Sequence, residues 1–151
     1  MANTQAMCTS FKQDILNGIH AFGTTVTRGT TSADTFKAAL YYATATLGAA
    51  TTAYSATGEV SGTGYTAGGT TVTNGTAPTT SGTSAYWTPS ASFSWTGVTI
   101  TTAFDTVLLY NSTQSNKAVS VHTFGSQTIT SGNFTLTMPT NAAGTALIQI
   151  S

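Results

Sequence analysis

Apolar residues near the start of the chain recur every three or four positions, a spacing that places them on one face of a helix. They are Met7, Phe11, Ile15, Ile19 and Phe22. Asn3 or Thr4 suits the position that caps the start of a helix, and Gly23 suits the position just after its end. The pattern predicts one amphipathic helix over residues 4–22.

After Gly23 the apolar spacing changes to two, the period of a strand. Short strands are predicted at residues 35–42, 70–73, 84–88, 92–95, 98–102, 104–110, 118–124, 128–129, 133–138 and 146–150. Gly, Asn, Ser and Pro separate them, with no second helical pattern. Many short strands of this kind indicate an antiparallel sandwich or barrel. We expect a mainly β fold, a jelly-roll-like sandwich over residues 35–151 that follows the helix within a single domain, 1–151.

Three connections refine this expectation. Residues 110–119 have strand patterns on both sides of a polar tip and predict a hairpin. Gly132-Asn133 is a dipeptide favoured in tight turns and predicts a second turn. Residues 51–83 are rich in glycine and predict a long loop region with short strands inside it.

The same patterns predict a core built from the inward-facing positions of the strands. The expected core residues are Phe36, Leu40, Ile100, Leu108, Val119, Val121, Phe134, Leu136 and Ile148.

Composition restricts the class of function. The 151 residues include 36 Thr, 15 Ser and 15 Gly, but only four Lys or Arg and four Asp or Glu. Nucleic-acid binding needs clustered cations, whereas Lys12, Arg28, Lys37 and Lys117 are scattered. Threonine favours strands, and strand edges without charged side chains tend to pair. We therefore expect a surface that is covered in an assembly, with compositional drift in a threonine-favouring host as the alternative.

Several other classes of protein are not expected. No apolar run is long enough to span a membrane, and the first residues lack the pattern of a signal peptide. The lone Cys8 cannot form an internal disulfide and is expected to be buried beside Met7 on the helix. His, Cys and Asp do not cluster, so neither a metal site nor a cofactor site is predicted.

Candidate catalytic groups are few. The acids are Asp14, Asp34, Glu59 and Asp105, and we expect each to be solvated or to cap an element. His20 lies at the end of the predicted helix, where a cation suits the helix dipole. His122 falls in a predicted strand and is expected on its polar face.

Three further patterns have a functional and a structural interpretation. A Ser–His–Asp triad could combine His122 and Asp105 with a serine, but no nucleophile-elbow pattern supports it. Residues 62–71, GTGYTAGGTT, resemble a phosphate loop without its Gly-Lys-Ser/Thr ending, so we interpret them as a turn-rich loop. Aromatic side chains in glycine-rich loops could stack on sugar rings, although ordinary packing is favoured; these are Tyr54, Tyr65, Tyr86 and Trp87.

Three stretches of the chain carry a resemblance to a known family. They are TQAMCTSFKQDILNGIHAF, DTFKAALYYATATLGAATTAYSATGEVSGTGYTAGGTTVTN and LLYNSTQSNKAVSVHTFG, in this order. Together they resemble a family of small virion structural proteins of tailed bacteriophages, over residues 4–150, and the middle stretch is the most specific. The resemblance implies no catalytic residues.

The resemblance implies a virion component made in the cytoplasm of the bacterial host. The leading expectation is a capsid decoration, or cement, protein on the outer surface of the shell. Its partners would be the major capsid protein and copies of itself, as a dimer or trimer, with no nucleic acid and no membrane. The alternative is a tail or fibre component that binds the host surface, and a hydrolase is the third and least expected reading.

Overall fold

The computed structural model of the protein describes residues 3–16, 19–23 and 32–151. These residues are mainly β, with antiparallel sheets. The elements are β1 (Ala6–Met7), α1 (Thr9–Leu16), β2 (Phe36–Tyr42), β3 (Thr70–Thr71), β4 (Thr79–Ser81), β5 (Ser84–Trp87), β6 (Phe93–Asn111), β7 (Lys117–Leu136) and β8 (Ile148–Ile150). A large sheet has the order β1-β7-β6-β2-β3, and a small sheet has the order β4-β5-β8.

Strands β6 and β7 form one long hairpin that dominates the large sheet. The predicted hairpin over residues 110–119 is confirmed, since Asn111 pairs with Lys117 and the turn contains Ser115 and Asn116 at positive φ. The sequence predicted six short strands over this stretch, but the structure contains two long ones. The residues between the predicted short strands lie inside β6 and β7, at places where the register between the two strands shifts locally.

The second predicted turn is wrong. Gly132 lies inside β7, opposite Val98 of β6, and the neighbouring Ser131 adopts a φ of 47°. A bulge rather than a chain reversal accommodates this backbone. The predicted loop region over residues 51–83 is confirmed, since it contains only the short strands β3 and β4.

A helix over residues 4–22 is also wrong in extent. The helix covers Thr9–Leu16, and residues 17 and 18 lie outside the described part of the chain. Before the helix, Ala6 and Met7 pair with Val121 and Ser120 of β7. After it, the Ala21 N–H donates to the Asp34 carboxylate. These contacts with distant segments replace helical hydrogen bonds.

The expected caps of that helix have other roles. The Asn3 side chain accepts from the Leu47 N–H and donates to the Tyr42 carbonyl and to Asp105. The Gly23 N–H donates to the side chain of Asn74. The N-terminal segment is therefore held by the sheet and its loops.

The core lies on both faces of the large sheet, where the buried residues of β2 pair with those of β6. Alternate residues of a strand point to opposite faces. On one face, Phe36 packs against Phe22 and against Trp87 of the small sheet, with ring centroids 4.5 and 5.9 Å away. On the other face, the buried Tyr41 donates from its hydroxyl to the carbonyl of Ser55 in the long loop.

Most of the expected core is confirmed. Seven of the nine predicted residues are buried, and Phe134 and Leu136 are only partly buried at the far end of the hairpin. Buried side chains from both sheets form one cluster with the N-terminal segment. No helix in the described part of the chain is long and apolar enough to cross a membrane.

The buried position of Leu108 gives a direct test of this arrangement. Its side chain is fully buried on β6, opposite Ala39 of β2. We expect Leu108→Ala to lower the free energy of unfolding by roughly 2–5 kcal/mol, since it removes packed methyl groups from the core. Chemical denaturation measures the change. The control Thr101→Ala, at an exposed position on the same strand, should change it by less than about 0.5 kcal/mol.

Candidate functional site

The acidic side chains are mostly inside the protein, so the prediction of solvated or capping roles is wrong for three of them. Asp14, Asp34 and Glu59 are 6%, 5% and 8% exposed. Asp105 is partly exposed and accepts hydrogen bonds from Asn3 and Thr106. A buried carboxylate is costly unless other groups hydrogen-bond to it, so the partners of these three decide what they do.

Glu59 holds the glycine-rich loop on the large sheet. Its Oε1 accepts from the Tyr65 hydroxyl at 2.9 Å and from the Gly68 N–H at 2.7 Å, and its Oε2 accepts from the Tyr54 hydroxyl at 2.6 Å. The Tyr110 hydroxyl on β6 donates to the Gly68 carbonyl at 2.8 Å. The carboxylate therefore ties three points of residues 54–68 together above the sheet.

In the loop that resembled a phosphate loop, one backbone donor is already used by an internal group. The backbone N–H of Gly68, which could bind an anion, already faces the internal carboxylate of Glu59. Burial raises the pKa of Tyr65 above its ordinary value, and the negative charge of Glu59 raises it further. Tyr65 therefore remains a protonated hydrogen-bond donor. The interpretation as a turn-rich loop is confirmed, since the backbone turns at residues 64 and 67–68.

A second polar cluster joins the N-terminal segment to the hairpin turn. Asp14 lies 3.1 Å from the Lys117 ammonium and 3.6 Å from His20 Nε2. Asn111 Nδ2 lies 3.0 Å from His20 Nδ1 and 2.8 Å from the Asp34 carboxylate. The amide of Asn111 thus connects an N-terminal histidine to the acid that precedes β2.

The placement of His20 differs from its prediction. His20 lies beyond the end of the helix, and its side chain is buried. Burial lowers the pKa of His20, and the nearby Asp14 and Asp34 carboxylates oppose that effect. A neutral ring that accepts from Asn111 at Nδ1 carries its proton on Nε2, which faces Asp14. His20 is therefore part of the packing and does not serve as a cation at the helix end.

His122 is not on a polar face either. It lines an apolar cavity of about 190 Å³ together with Phe93, Phe124 and Leu136. Burial lowers the pKa of His122 to about 4, so the ring is neutral at pH 7. Its Nε2 lies 2.8 Å from the hydroxyl of Ser120, which is only 2% exposed.

The structure does not assemble the hypothetical triad. In the described part of the chain, no hydrogen bond links His122 to Asp105, whose Oδ1 accepts from Asn3 and Thr106. The serine beside His122 is buried, so a substrate would not reach it. The Ser120–His122 pair is best explained as a satisfied polar contact within the sheet.

The aromatic residues of the loops are used largely for packing. Trp87 is 2% exposed and donates from Nε1 to the Thr76 carbonyl. The ring of Tyr54 stacks on Tyr110 with centroids 4.8 Å apart. Tyr86 is partly buried beside Trp87. These contacts favour the packing interpretation over stacking on sugar rings.

Cys8 is fully buried, as predicted, but lies between β1 and the helix. Burial raises the pKa of its thiol to about 11, so the unreactive thiol form dominates at pH 7. Across residues 3–16, 19–23 and 32–151, no cluster of three or more His, Cys, Asp or Glu residues could hold a metal ion.

A surface groove is lined by residues between Tyr41 and Gly58. It has a volume of about 460 Å³ and is lined by Thr, Ala and Ser with the buried Tyr41. No acidic or basic side chain is among these lining residues. The groove offers hydroxyl groups and small apolar surfaces, and it has no pair of titratable groups for acid–base chemistry.

Comparison with known proteins adds no relative. No protein-family model, no curated protein and no solved structure matches the chain. The residues of interest are therefore those that the geometry itself brings together.

Gly69 tests how the loop is seated on the sheet. A Cβ at Gly69 would lie 1.9 Å from the Ala38 carbonyl oxygen, whereas a Cβ at Gly82 would meet nothing within 4 Å. Both glycines have positive φ, so Ala replacement strains the backbone at either position. We expect Gly69→Ala to lower the melting temperature clearly more than Gly82→Ala. Equal losses would contradict the close approach.

His122 tests the burial of a neutral ring through the pH dependence of stability. Its pKa is about 4 in the folded protein, below the ordinary 6.5, so the unfolded chain binds a proton first as pH falls. Stability should therefore fall by up to roughly 3 kcal/mol between pH 6.5 and 4 from this group alone. Denaturation curves for wild type and His122→Gln should diverge over this window, with the variant less dependent on pH. Parallel curves would contradict a buried neutral ring.

Proposed function

We propose that the protein is a structural component of a bacteriophage virion, most specifically a capsid decoration protein. The observation that carries this proposal is the distribution of charge. Every Asp, Glu and Lys side chain whose exposure the structure describes is buried or only partly exposed. Charge repulsion helps to keep free proteins apart, and a surface made of Thr, Ser, Gly and Ala has little of it. Such a surface suits a protein that is covered in an assembly.

The proposed partner is the major capsid protein. The decoration protein would be made in the bacterial cytoplasm and would bind to the outside of the shell. A decoration protein meets the same binding surface at many places on an icosahedral lattice. Repeated weak contacts then give a high total avidity without any single strong site. The resemblance of three stretches to small virion proteins supports this role independently of the charge distribution.

We also propose that the two sheets form a sandwich. Trp87 of the small sheet packs near Phe36 of the large sheet, and Ile148 belongs to the same buried cluster. A jelly roll has eight strands in two Greek keys, whereas the hydrogen-bonded strands divide five and three here. The division favours a sandwich with a dominant hairpin.

The tail or fibre alternative depends on aromatic side chains that could grip a host glycan. Trp87 is buried, Tyr54 stacks on Tyr110, and Tyr65 is bonded to Glu59. These contacts leave little aromatic surface for a sugar, and they favour the shell over a host-binding tip.

Copy number in purified particles distinguishes the two roles. A decoration protein predicts a copy number comparable to that of the capsid subunits, and a tail component predicts far fewer copies.

We infer a role without catalysis. Three of the four acids are buried among internal partners, and Ser120 beside His122 is enclosed. Reproducible hydrolysis of a glycan or peptide that is abolished by Asp105→Asn or His122→Gln would overturn this inference.

Salt resistance tests the proposed mode of attachment. With few exposed charges, binding to the shell should depend on apolar contact and backbone hydrogen bonds, which salt screens little. Particles washed at rising sodium chloride concentration should therefore retain the protein, as measured on quantitative gels. Complete release between roughly 50 and 200 mM salt would show that charge dominates the attachment.

A further inference from the structure

The apolar cavity beside His122 has walls from three parts of the chain. Strand β7 contributes Phe124 and Leu136, and β6 contributes the buried Phe93. Strand β7 folds back on itself here, since the rings of Phe124 and Phe134 have centroids only 5.2 Å apart. The segment after β7 forms another side of the cavity, named here the third wall, with Met138, Pro139 and Leu147.

Hydrogen bonds hold the third wall in place. The Met138 N–H donates to Ser92 Oγ at 3.2 Å, and the Leu147 N–H donates to Thr88 Oγ1 at 2.9 Å. Thr88 is itself buried. A site that is already formed before its ligand arrives avoids the cost of ordering loops and side chains on binding. The cavity therefore belongs to the folded structure and does not have to be opened by a ligand.

One polar atom beside this cavity has no partner. Nε2 of His122 lies 2.8 Å from the Ser120 hydroxyl, but among the described residues no group hydrogen-bonds to Nδ1. Burial lowers the pKa of His122 to about 4, so the ring is neutral at pH 7. A polar atom that is shielded from water and left without a hydrogen bond costs free energy. A ligand in the cavity could supply the missing bond.

The unpaired nitrogen favours a hydroxyl group as its partner. The Ser120 hydroxyl can rotate, so it can either donate to Nε2 of His122 or accept from it. In the first case Nδ1 carries the ring proton and donates, and in the second case Nδ1 accepts. Because a hydroxyl group both donates and accepts, it can pair with Nδ1 in either tautomer. A carbonyl oxygen or an ammonium group would match only one of the two.

The rest of the lining favours a single neutral ring. No Asp, Glu, Lys or Arg is among the lining residues, so a charged ligand would lose its hydration without gaining a counter-ion. The cavity volume is about 190 Å³. A dry apolar cavity of roughly 150 Å³ in another protein accepts benzene, so one ring with one substituent fits here. Phe93 and Phe124 offer aromatic surfaces against which such a ring can pack.

We propose that this cavity binds a phenol, with the ring between Phe93, Phe124 and the third wall and the hydroxyl hydrogen-bonded to His122 Nδ1. The exposed Gln5 and Thr137 mark the side on which the cavity opens to solvent. Water is a weak competitor at this nitrogen, since a buried water usually makes about three hydrogen bonds and most of the lining is apolar. The site goes beyond the proposed function, because binding requires no shell.

Isothermal titration calorimetry of the full chain with phenol and with toluene tests the proposal. The two probes have nearly the same size, and only phenol carries a hydroxyl group. We expect saturable binding of phenol with a Kd between about 0.1 and 1 mM. His122→Leu removes the ring nitrogen and keeps an apolar side chain. It should weaken the binding of phenol relative to that of toluene at least about tenfold.

Two further measurements locate the phenol and do not depend on how well His122→Leu folds. Met138→Trp places a large ring in the cavity and should abolish binding of both probes. The control Ile150→Trp adds the same ring at an exposed position outside the cavity and should bind like wild type. In wild type, phenol should shift the nitrogen NMR resonances of the His122 ring, while those of His20, the other histidine, stay unchanged.

Three results would overturn the proposal. The first is the absence of saturable phenol binding to wild type up to about 10 mM. The second is phenol binding that persists in a folded Met138→Trp variant, as judged by circular dichroism and melting temperature. The third is a phenol complex in which the ring nitrogens of His122 do not shift, since the hydroxyl would then have another partner.

Discussion

The pairing of β6 with β2 on one side and β7 on the other is the interaction on which the rest of the structure depends. Residues 106–111 of β6 are buried throughout, so their backbone groups must find partners in the neighbouring strands. In this sheet Phe36 and Tyr41 of β2 point to opposite faces, and a different segment of the chain packs against each. The N-terminal segment and small sheet cover one face, and the glycine-rich loop covers the other.

Buried charges fasten these layers to the sheet. Glu59 collects donors from Tyr54, Tyr65 and Gly68, and Asp34 collects the Ala21 N–H and the Asn111 amide. A buried carboxylate that loses its donors is costly, so each acid makes its loop conformation specific. The same arrangement removes charge from the surface. The burial of these acids thus fixes the loops and also leaves the surface with little charge, the property on which the proposed role in an assembly depends.

Sequence periodicity predicted the parts of the fold that depend on neighbouring residues. The hairpin at residues 110–119 and the burial of Leu108 and Val121 follow from local alternation of apolar and polar positions. The tight turn at Gly132-Asn133 was wrong because a bulged strand uses the same residue types as a turn. Periodicity cannot distinguish the two when the partner strand is not yet known.

The roles of the acids were also beyond local reasoning. Glu59 has its structural role only because the loop brings Tyr54, Tyr65 and Gly68 within hydrogen-bond distance of it. No short sequence motif encodes that geometry. One signal was present, since Glu59 is the sole acid between Asp34 and Asp105 and lies among glycines and tyrosines. The helix over residues 4–22 failed for a similar reason, because distant partners compete for the same backbone groups.

A cryo-electron microscopy map of the virion that contains this protein tests the proposed role most directly. A decoration protein predicts density for the fold on the outer face of the shell, repeated with icosahedral symmetry and touching neighbouring capsid subunits. Density confined to the tail or its fibres, with a bare outer shell, would contradict it.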